Sequence, residues 1–94
     1  MVQIIENWAL LTCFLQAISV EASATALTCH VEAVEPVGSF KNLLERHIGK
    51  DIVVRLKADA SALQPGMRLK LKVSQSDLAT FWGDAVSLEV VRDN

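Results

Sequence analysis

The sequence predicts an α+β fold that is mostly β: a small, partly closed barrel of five antiparallel strands with one short capping helix. Five stretches of the chain either alternate apolar and polar residues or are apolar throughout, as strands do. One stretch alone repeats apolar residues at helical spacing. The chain has 94 residues, 51% of them hydrophobic, which suffices for one core but not for two. We therefore expect a single domain over residues 1–94.

The first predicted strand covers residues 8–20, which are apolar on both alternating faces. A long first strand of a small closed barrel has this pattern, because both of its sides are covered. Ala, Leu and Gln also favour helices, so a helix is the alternative. No Lys or Arg precedes the stretch, and it is shorter than the roughly 18 residues of a spanning helix. We expect neither a signal peptide nor a membrane segment.

The second predicted strand covers residues 25–35 and ends at Pro36. Its register against the first strand stays open, because a slip of one residue exchanges the two faces. The side chains predicted to share one face are Leu27, Cys29, Val31 and Ala33.

The capping helix is predicted over residues 39–49. Ser39 is suited to cap its first turn, and Gly49 to end it. The apolar residues at helical spacing are Phe40, Leu43, Leu44 and Ile48. A helix this short needs tertiary packing, so we expect it to cover one end of the barrel.

The remaining strands are predicted over residues 51–57, over residues 67–73, and around Val86, Leu88 and Val90. Pro65 and Gly66 mark a turn before the fourth strand. Phe81 and Trp82 fall between the last two predicted strands, so we expect both in a loop, one of them turned inward.

The segments "GKDIVVRLKAD" and "LQPGMRLKLKV", together with the long first strand, resemble the oligonucleotide/oligosaccharide-binding barrel, or OB fold. The resemblance covers most of the chain at the level of architecture. It implies that the loop with Phe81 and Trp82 flanks the ligand face. That fold usually carries its helix between the third and fourth strands, whereas the helix predicted here follows the second.

The charge is unevenly distributed along the chain. Residues 50–72 hold six Lys or Arg and two Asp, a local charge of +4, whereas three basic and nine acidic residues elsewhere give −6. If the third and fourth strands are neighbours, five cations share one face of the sheet: Arg55, Lys57, Arg68, Lys70 and Lys72. Such a face is expected to bind an acidic protein surface or another copy of the chain. Single-stranded nucleic acid is the alternative ligand, although no stacking aromatic lies within residues 50–72.

No combination of residues in the sequence predicts catalysis, a metal or a cofactor. Cys29 and His30 are adjacent on a strand, so they point to opposite faces and cannot share an ion. Cys13 and Cys29 are predicted to be reduced core thiols, which indicates the cytoplasm. We expect a non-catalytic interaction module that binds protein or self-associates, using the basic face and an anchor formed by Phe81 and Trp82.

Overall fold

The computed structural model describes residues 7–38, 44–58, 60, 62–76 and 80–91. They form six strands and two 3₁₀ turns. The strands are β1 (Ala9–Val20), β2 (Thr25–Pro36), β3 (Asp51–Leu56), β4 (Arg68–Gln75), β5 (Phe81–Gly83) and β6 (Glu89–Val91). The 3₁₀ turns are Glu45–His47 and Ala85–Ser87.

Five of the strands close into a barrel in the order β1-β2-β3-β5-β4, with β4 pairing back to β1. The prediction of a mostly β, five-stranded barrel is confirmed, and this arrangement is consistent with the architectural resemblance to the OB fold. The sheet is mixed, because β3 and β5 run parallel. This follows from chain direction: β4 is antiparallel to β1, so β5 returns in the direction of β1 and β3. The sixth strand, β6, pairs with β4 outside the barrel.

Two irregularities allow the long β1–β2 pair to curve around the core. Gln16 is an extra residue between the pairs Leu15–Cys29 and Ala17–Thr28, so both Leu15 and Ile18 face the interior. Glu32 is an extra residue on β2 opposite the Thr12–Cys13 step. The second irregularity corrects the predicted face of β2. Val34 packs against the core, whereas Ala33 is exposed.

The interior of the barrel is filled by Leu, Val, Ile, Ala, Cys and Phe side chains from all five strands. Leu44 lies in the connection that enters β3, and Leu63 lies in the connection that leaves it. Both side chains are buried in the core, so the connections on either side of β3 are packed against the barrel. No helix in the described part of the chain is long and apolar enough to cross a membrane.

The predicted helix over residues 39–49 is not found in its described part; residues 39–43 lie outside the described residues. From Leu44 the chain makes only the 3₁₀ turn Glu45–His47. The Gly49 N–H then donates to the Val31 carbonyl at 2.8 Å, and the Lys50 carbonyl accepts from the Val31 N–H at 2.9 Å. These bonds attach the chain to β2 and leave no length for further helical turns. Ile48 consequently lies on the surface.

The last barrel strand lies earlier than its predicted position. β5 is Phe81–Gly83, Val86 belongs to the second 3₁₀ turn, and only Glu89–Val91 forms the outer strand. A three-residue strand is too short to show an alternating pattern. Gly83 permits its close approach, because a Cβ there would lie 2.6 Å from Leu56 Cδ2 and 2.8 Å from Leu71 Cδ1.

Candidate functional site

The five predicted basic residues fall into two groups on the outside of the barrel. Arg55 lies on β3, and Lys57 is the first residue after the end of that strand. The remaining three, Arg68, Lys70 and Lys72, alternate along β4. β3 does not pair with β4, because β5 lies between them, so the direct pairing that would unite all five cations is absent from the described sheet.

Acidic residues of the same chain lie beside these cations. Arg68 donates from Nε to Glu32 Oε1 at 2.6 Å and from Nη2 to Oε2 at 3.3 Å. Arg55 Nε donates to Glu21 Oε1 at 3.3 Å, and Lys70 is opposite Glu89 in the β4–β6 register. The two ion pairs are exposed, so each contributes at most about 1 kcal/mol to stability. Their main effect is to lower the positive potential of the surface.

Phe81 and Trp82 have opposite orientations on β5 rather than sharing a loop. Phe81 is buried in the core, and Trp82 lies half-buried on the outer face opposite Arg55 and Ser74. The Lys57 Nζ lies 5.1 Å from the centroid of the Trp82 ring, within range of a cation–π interaction. An aromatic ring is therefore next to the cations of β3. Sequence reasoning missed it because β5 follows β4 along the chain but lies beside β3.

The most exposed aromatic side chain described is Phe14, in the middle of β1 with 39% of its surface accessible. It lies opposite His30 of β2 and opposite Arg68 of β4. His30 Nδ1 is 2.7 Å from Asp51 Oδ1 on the β2 side of the ring, whereas the Arg68–Glu32 pair joins β4 to β2 across β1. The sequence showed two apolar faces on this strand, and only the bulges and the pairing decide that Phe14 faces outward.

A shallow groove continues the apolar surface from Phe14 toward β6. It is lined by Phe14, Gly66, Met67, Arg68, Val90 and Val91. We call these residues, with the flanking Glu32, His30 and Asp51, the Phe14 surface. An aromatic centre with polar residues at its rim is typical of protein interfaces, in which a few aromatic and Arg residues dominate the binding energy.

The thiols and imidazoles occupy separate environments. Cys13 and Cys29 are free and buried, and the Cys29 thiol donates to the Leu27 carbonyl at 3.6 Å. Hydrogen bonding with Cys13 and burial raise the pKa of Cys29, so it remains a thiol at neutral pH. His30 is on the opposite, outer face. Among the described residues, no three His, Cys, Asp or Glu side chains lie close enough to hold a metal ion.

His47 has an unusual environment beside the barrel end. Its ring meets the Phe81 ring edge-on, with 5.2 Å between centroids and 85° between planes. The His47 Nε2 is buried and has no hydrogen-bond partner within the described residues. Burial, and then the charges of Arg46 and Lys50, lower the pKa of His47. His47 lies in the 3₁₀ turn Glu45–His47 and not in a helical turn, as the predicted helix over residues 39–49 would have placed it.

No family model, curated protein or solved structure matches the chain. The resemblance to the OB fold therefore rests on architecture alone, and fold alone does not determine function. The surface of this chain is therefore the basis for inferring its function.

Proposed function

We propose that this protein is a non-catalytic protein-binding module that contacts its partner through the Phe14 surface. The observation that carries the proposal is a 39% exposed Phe ring on the outer face of a sheet, bordered by the Arg68–Glu32 pair, which crosses β1, and by the His30–Asp51 pair on the β2 side. A large apolar ring surrounded by hydrogen-bonded polar groups is the arrangement from which interface hot spots are built.

The Phe14 surface is also preorganised for binding. At Phe14, β1 is hydrogen-bonded to β2 on one side and to β4 on the other, so the backbone under the ring is held from both edges. Binding to a rigid surface loses less conformational entropy than binding to a loop. Lys70 and Lys72 extend the surface along β4, and neither makes an ion pair within the described part of the chain. The partner that fits has an apolar centre and acidic groups on one side.

The test is affinity capture with matched variants of the full chain. The wild type, Phe14→Ala and Val86→Ala are immobilised, exposed to extract of the source cells, and compared by quantitative mass spectrometry. Val86 is the control because it is a 95% exposed apolar residue outside the Phe14 surface. We expect proteins that bind the wild type and Val86→Ala but not Phe14→Ala. With the purified partner, Phe14→Ala should raise Kd by about tenfold or more. Equal capture by all three chains would contradict the proposal.

Single-stranded nucleic acid is a second candidate, favoured by one observation. The Trp82 ring lies beside Lys57 and opposite Arg55, so β3 and β5 combine cations with a stacking platform. Titration with a single-stranded oligonucleotide at two salt concentrations, followed by Trp fluorescence, tests it. Binding should weaken with a log–log slope of about −0.7 for each phosphate contacted. A Lys57→Gln chain should bind more weakly than wild type, and no fluorescence change at low salt would exclude this candidate.

We further propose that the protein acts in the cytoplasm. Support comes from Cys13 and Cys29, which are both free and buried on neighbouring strands, the state expected in a reducing compartment. Cell fractionation with an antibody against the native chain tests this location.

A further inference from the structure

The strand β1 extends beyond its partner β4. The two strands pair from Ala9 to Phe14, and two more backbone bonds join Leu15 to the turn before β4. The Leu15 N–H donates to the Met67 carbonyl at 2.8 Å, and the Leu15 carbonyl accepts from the Gly66 N–H at 2.7 Å. From residue 17 to residue 20, β1 pairs only with β2 among the described residues. The other edge of this segment, which we call the β1 edge, has no strand partner there.

The direction of the backbone groups follows from the facing of the side chains. Leu15 faces the interior and directs its N–H and carbonyl toward the β4 side. Ile18 also faces the interior, so its backbone groups point toward the same side, which is now open. Val20, two residues further, repeats this direction. Two donors and two acceptors are thus available to an added strand.

The β1 edge lacks the features that usually prevent strand addition. Its residues are Ala17, Ile18, Ser19 and Val20, with neither charge nor proline. Val20 exposes 84% of its surface. The nearest charge in sequence, Glu21, accepts a hydrogen bond from Arg55 of the same chain.

We infer that the β1 edge pairs antiparallel with the β1 edge of a second copy, joining two barrels through one continuous sheet. The segment is complementary to itself about a two-fold axis at Ser19. In that register Ile18 lies opposite Val20 of the partner subunit, and Val20 opposite the partner subunit's Ile18. Each copy thus contributes one member to each of two β-branched cross-strand pairs, which pack on one face of the sheet. Since the segment is uncharged, the two copies approach without repulsion.

The proposed dimer is weak and reversible. Four residues on each side bury less area than the roughly 1,200 Å² of a stable complex, so we expect association in the micromolar to millimolar range. This inference goes beyond the proposed function, because the β1 edge contains no residue of the Phe14 surface. Loss of either interaction leaves the other intact.

Sedimentation velocity over a range of concentrations tests the inference with matched variants. For the wild type, the weight-average mass should rise from one chain toward two. Val20→Lys should remain a single chain, because a charge within the paired edge, opposite Ile18 of the partner subunit, opposes strand addition. Val86→Lys is the control, because Val86 is 95% exposed in a 3₁₀ turn away from this edge, and it should associate like the wild type. A wild type that stays a single chain at every concentration overturns the inference, as does equal association of both variants.

A cysteine placed on the two-fold axis tests the register. In the proposed pairing, Ser19 lies opposite Ser19 of the partner subunit, at a non-hydrogen-bonded position where the two Cα atoms are about 4.5 Å apart. Ser19→Cys should therefore oxidise to a disulfide-linked dimer. Val86→Cys is the matched control and should stay largely monomeric on a non-reducing gel. The native thiols, Cys13 and Cys29, are buried and do not compete. If Ser19→Cys fails to link at concentrations where the wild type associates, this pairing is wrong.

Discussion

Gly83 shows how one residue without a side chain closes the barrel. It is the last residue of β5, and a Cβ at this position would lie within 3 Å of methyl groups of Leu56 and Leu71. Both of those leucines are fully buried, so their methyl groups have no free space to move into. The glycine therefore determines how near β5 approaches the core.

We expect Gly83→Ala to destabilise the protein by about 1 to 3 kcal/mol, because the added methyl overpacks the core. Urea denaturation measures the change as a lower midpoint at an unchanged slope. Val86→Ala provides the control and should shift stability by less than about 0.5 kcal/mol, as exposed substitutions do. If the two variants unfold at the same urea concentration, the close approach of β5 is not a constraint.

The lowered pKa of His47 makes the folded protein less stable at acidic pH. Burial lowers its pKa in the folded chain, so the unfolded chain binds the proton more tightly. Protonation therefore favours unfolding, and this contribution to stability is present above the usual imidazole pKa of about 6.5 and is lost as pH falls below it.

We expect His47→Leu to reduce the loss of stability over that pH range, measured by urea denaturation at several pH values. NMR titration of the His47 ring should give a midpoint below the usual value of about 6.5. A midpoint at or above that value would show that the ring is solvated and would remove the explanation.

At the scale of elements, the sequence predicted long strands well and short ones poorly. The alternation of residues 25–35 identifies β2 because half of its side chains face outward. In contrast, β5 is only three residues long. It pairs in parallel with β3, which is distant along the chain, and antiparallel with β4, which precedes it. Its position depends on tertiary closure, which no local pattern contains.

Local sequence patterns also predicted the candidate site only in part, because they determine facing within a strand but not which residues of other strands lie beside it. Arg68 and Lys70 were placed correctly on an outer strand face, since period-2 alternation fixes facing within one strand. Their neighbours were not predictable, because Glu32 is at a bulge and Glu89 is on a strand outside the barrel. Phe14 could be assigned outward only after the register of β1 was known.

Among the elements, β6 should be dispensable for folding. It pairs with β4 alone and lies outside the closed barrel. A chain ending at residue 88 keeps all five barrel strands and the partly buried Leu88, so we expect one cooperative unfolding transition to remain, at lower stability. A chain ending at residue 80 also lacks β5, which opens the barrel between β3 and β4, and it should lose that transition. Circular dichroism during thermal unfolding distinguishes the two. Loss of cooperativity in the longer chain would show that β6 belongs to the folding unit.

At the scale of the whole molecule, the uneven distribution of charge along the chain is partly compensated in space. The segment with a charge of +4 contains β3 and most of β4, whereas Glu21, Glu32 and Glu89 come from the part with −6. Folding brings Glu21 to Arg55 and Glu32 to Arg68. The folded protein therefore has a weaker electrostatic dipole than the linear sequence indicates.

This compensation leads to a prediction about how two copies associate. If basic and acidic faces of two copies attracted each other, raising NaCl from about 50 to about 500 mM would screen the attraction and weaken association. Pairing through the uncharged β1 edge depends instead on backbone hydrogen bonds and on Ile18 and Val20, so its dissociation constant should change less than about threefold over that range. Sedimentation equilibrium of the wild type at both salt concentrations measures the difference. Glu32→Gln is a useful companion, because it removes the carboxylate charge beside Arg68 without changing the β1 edge, and it should leave the dissociation constant unchanged. A tenfold weakening in high salt would favour charge-driven contact over strand pairing, since only interactions between charges respond to screening in that way.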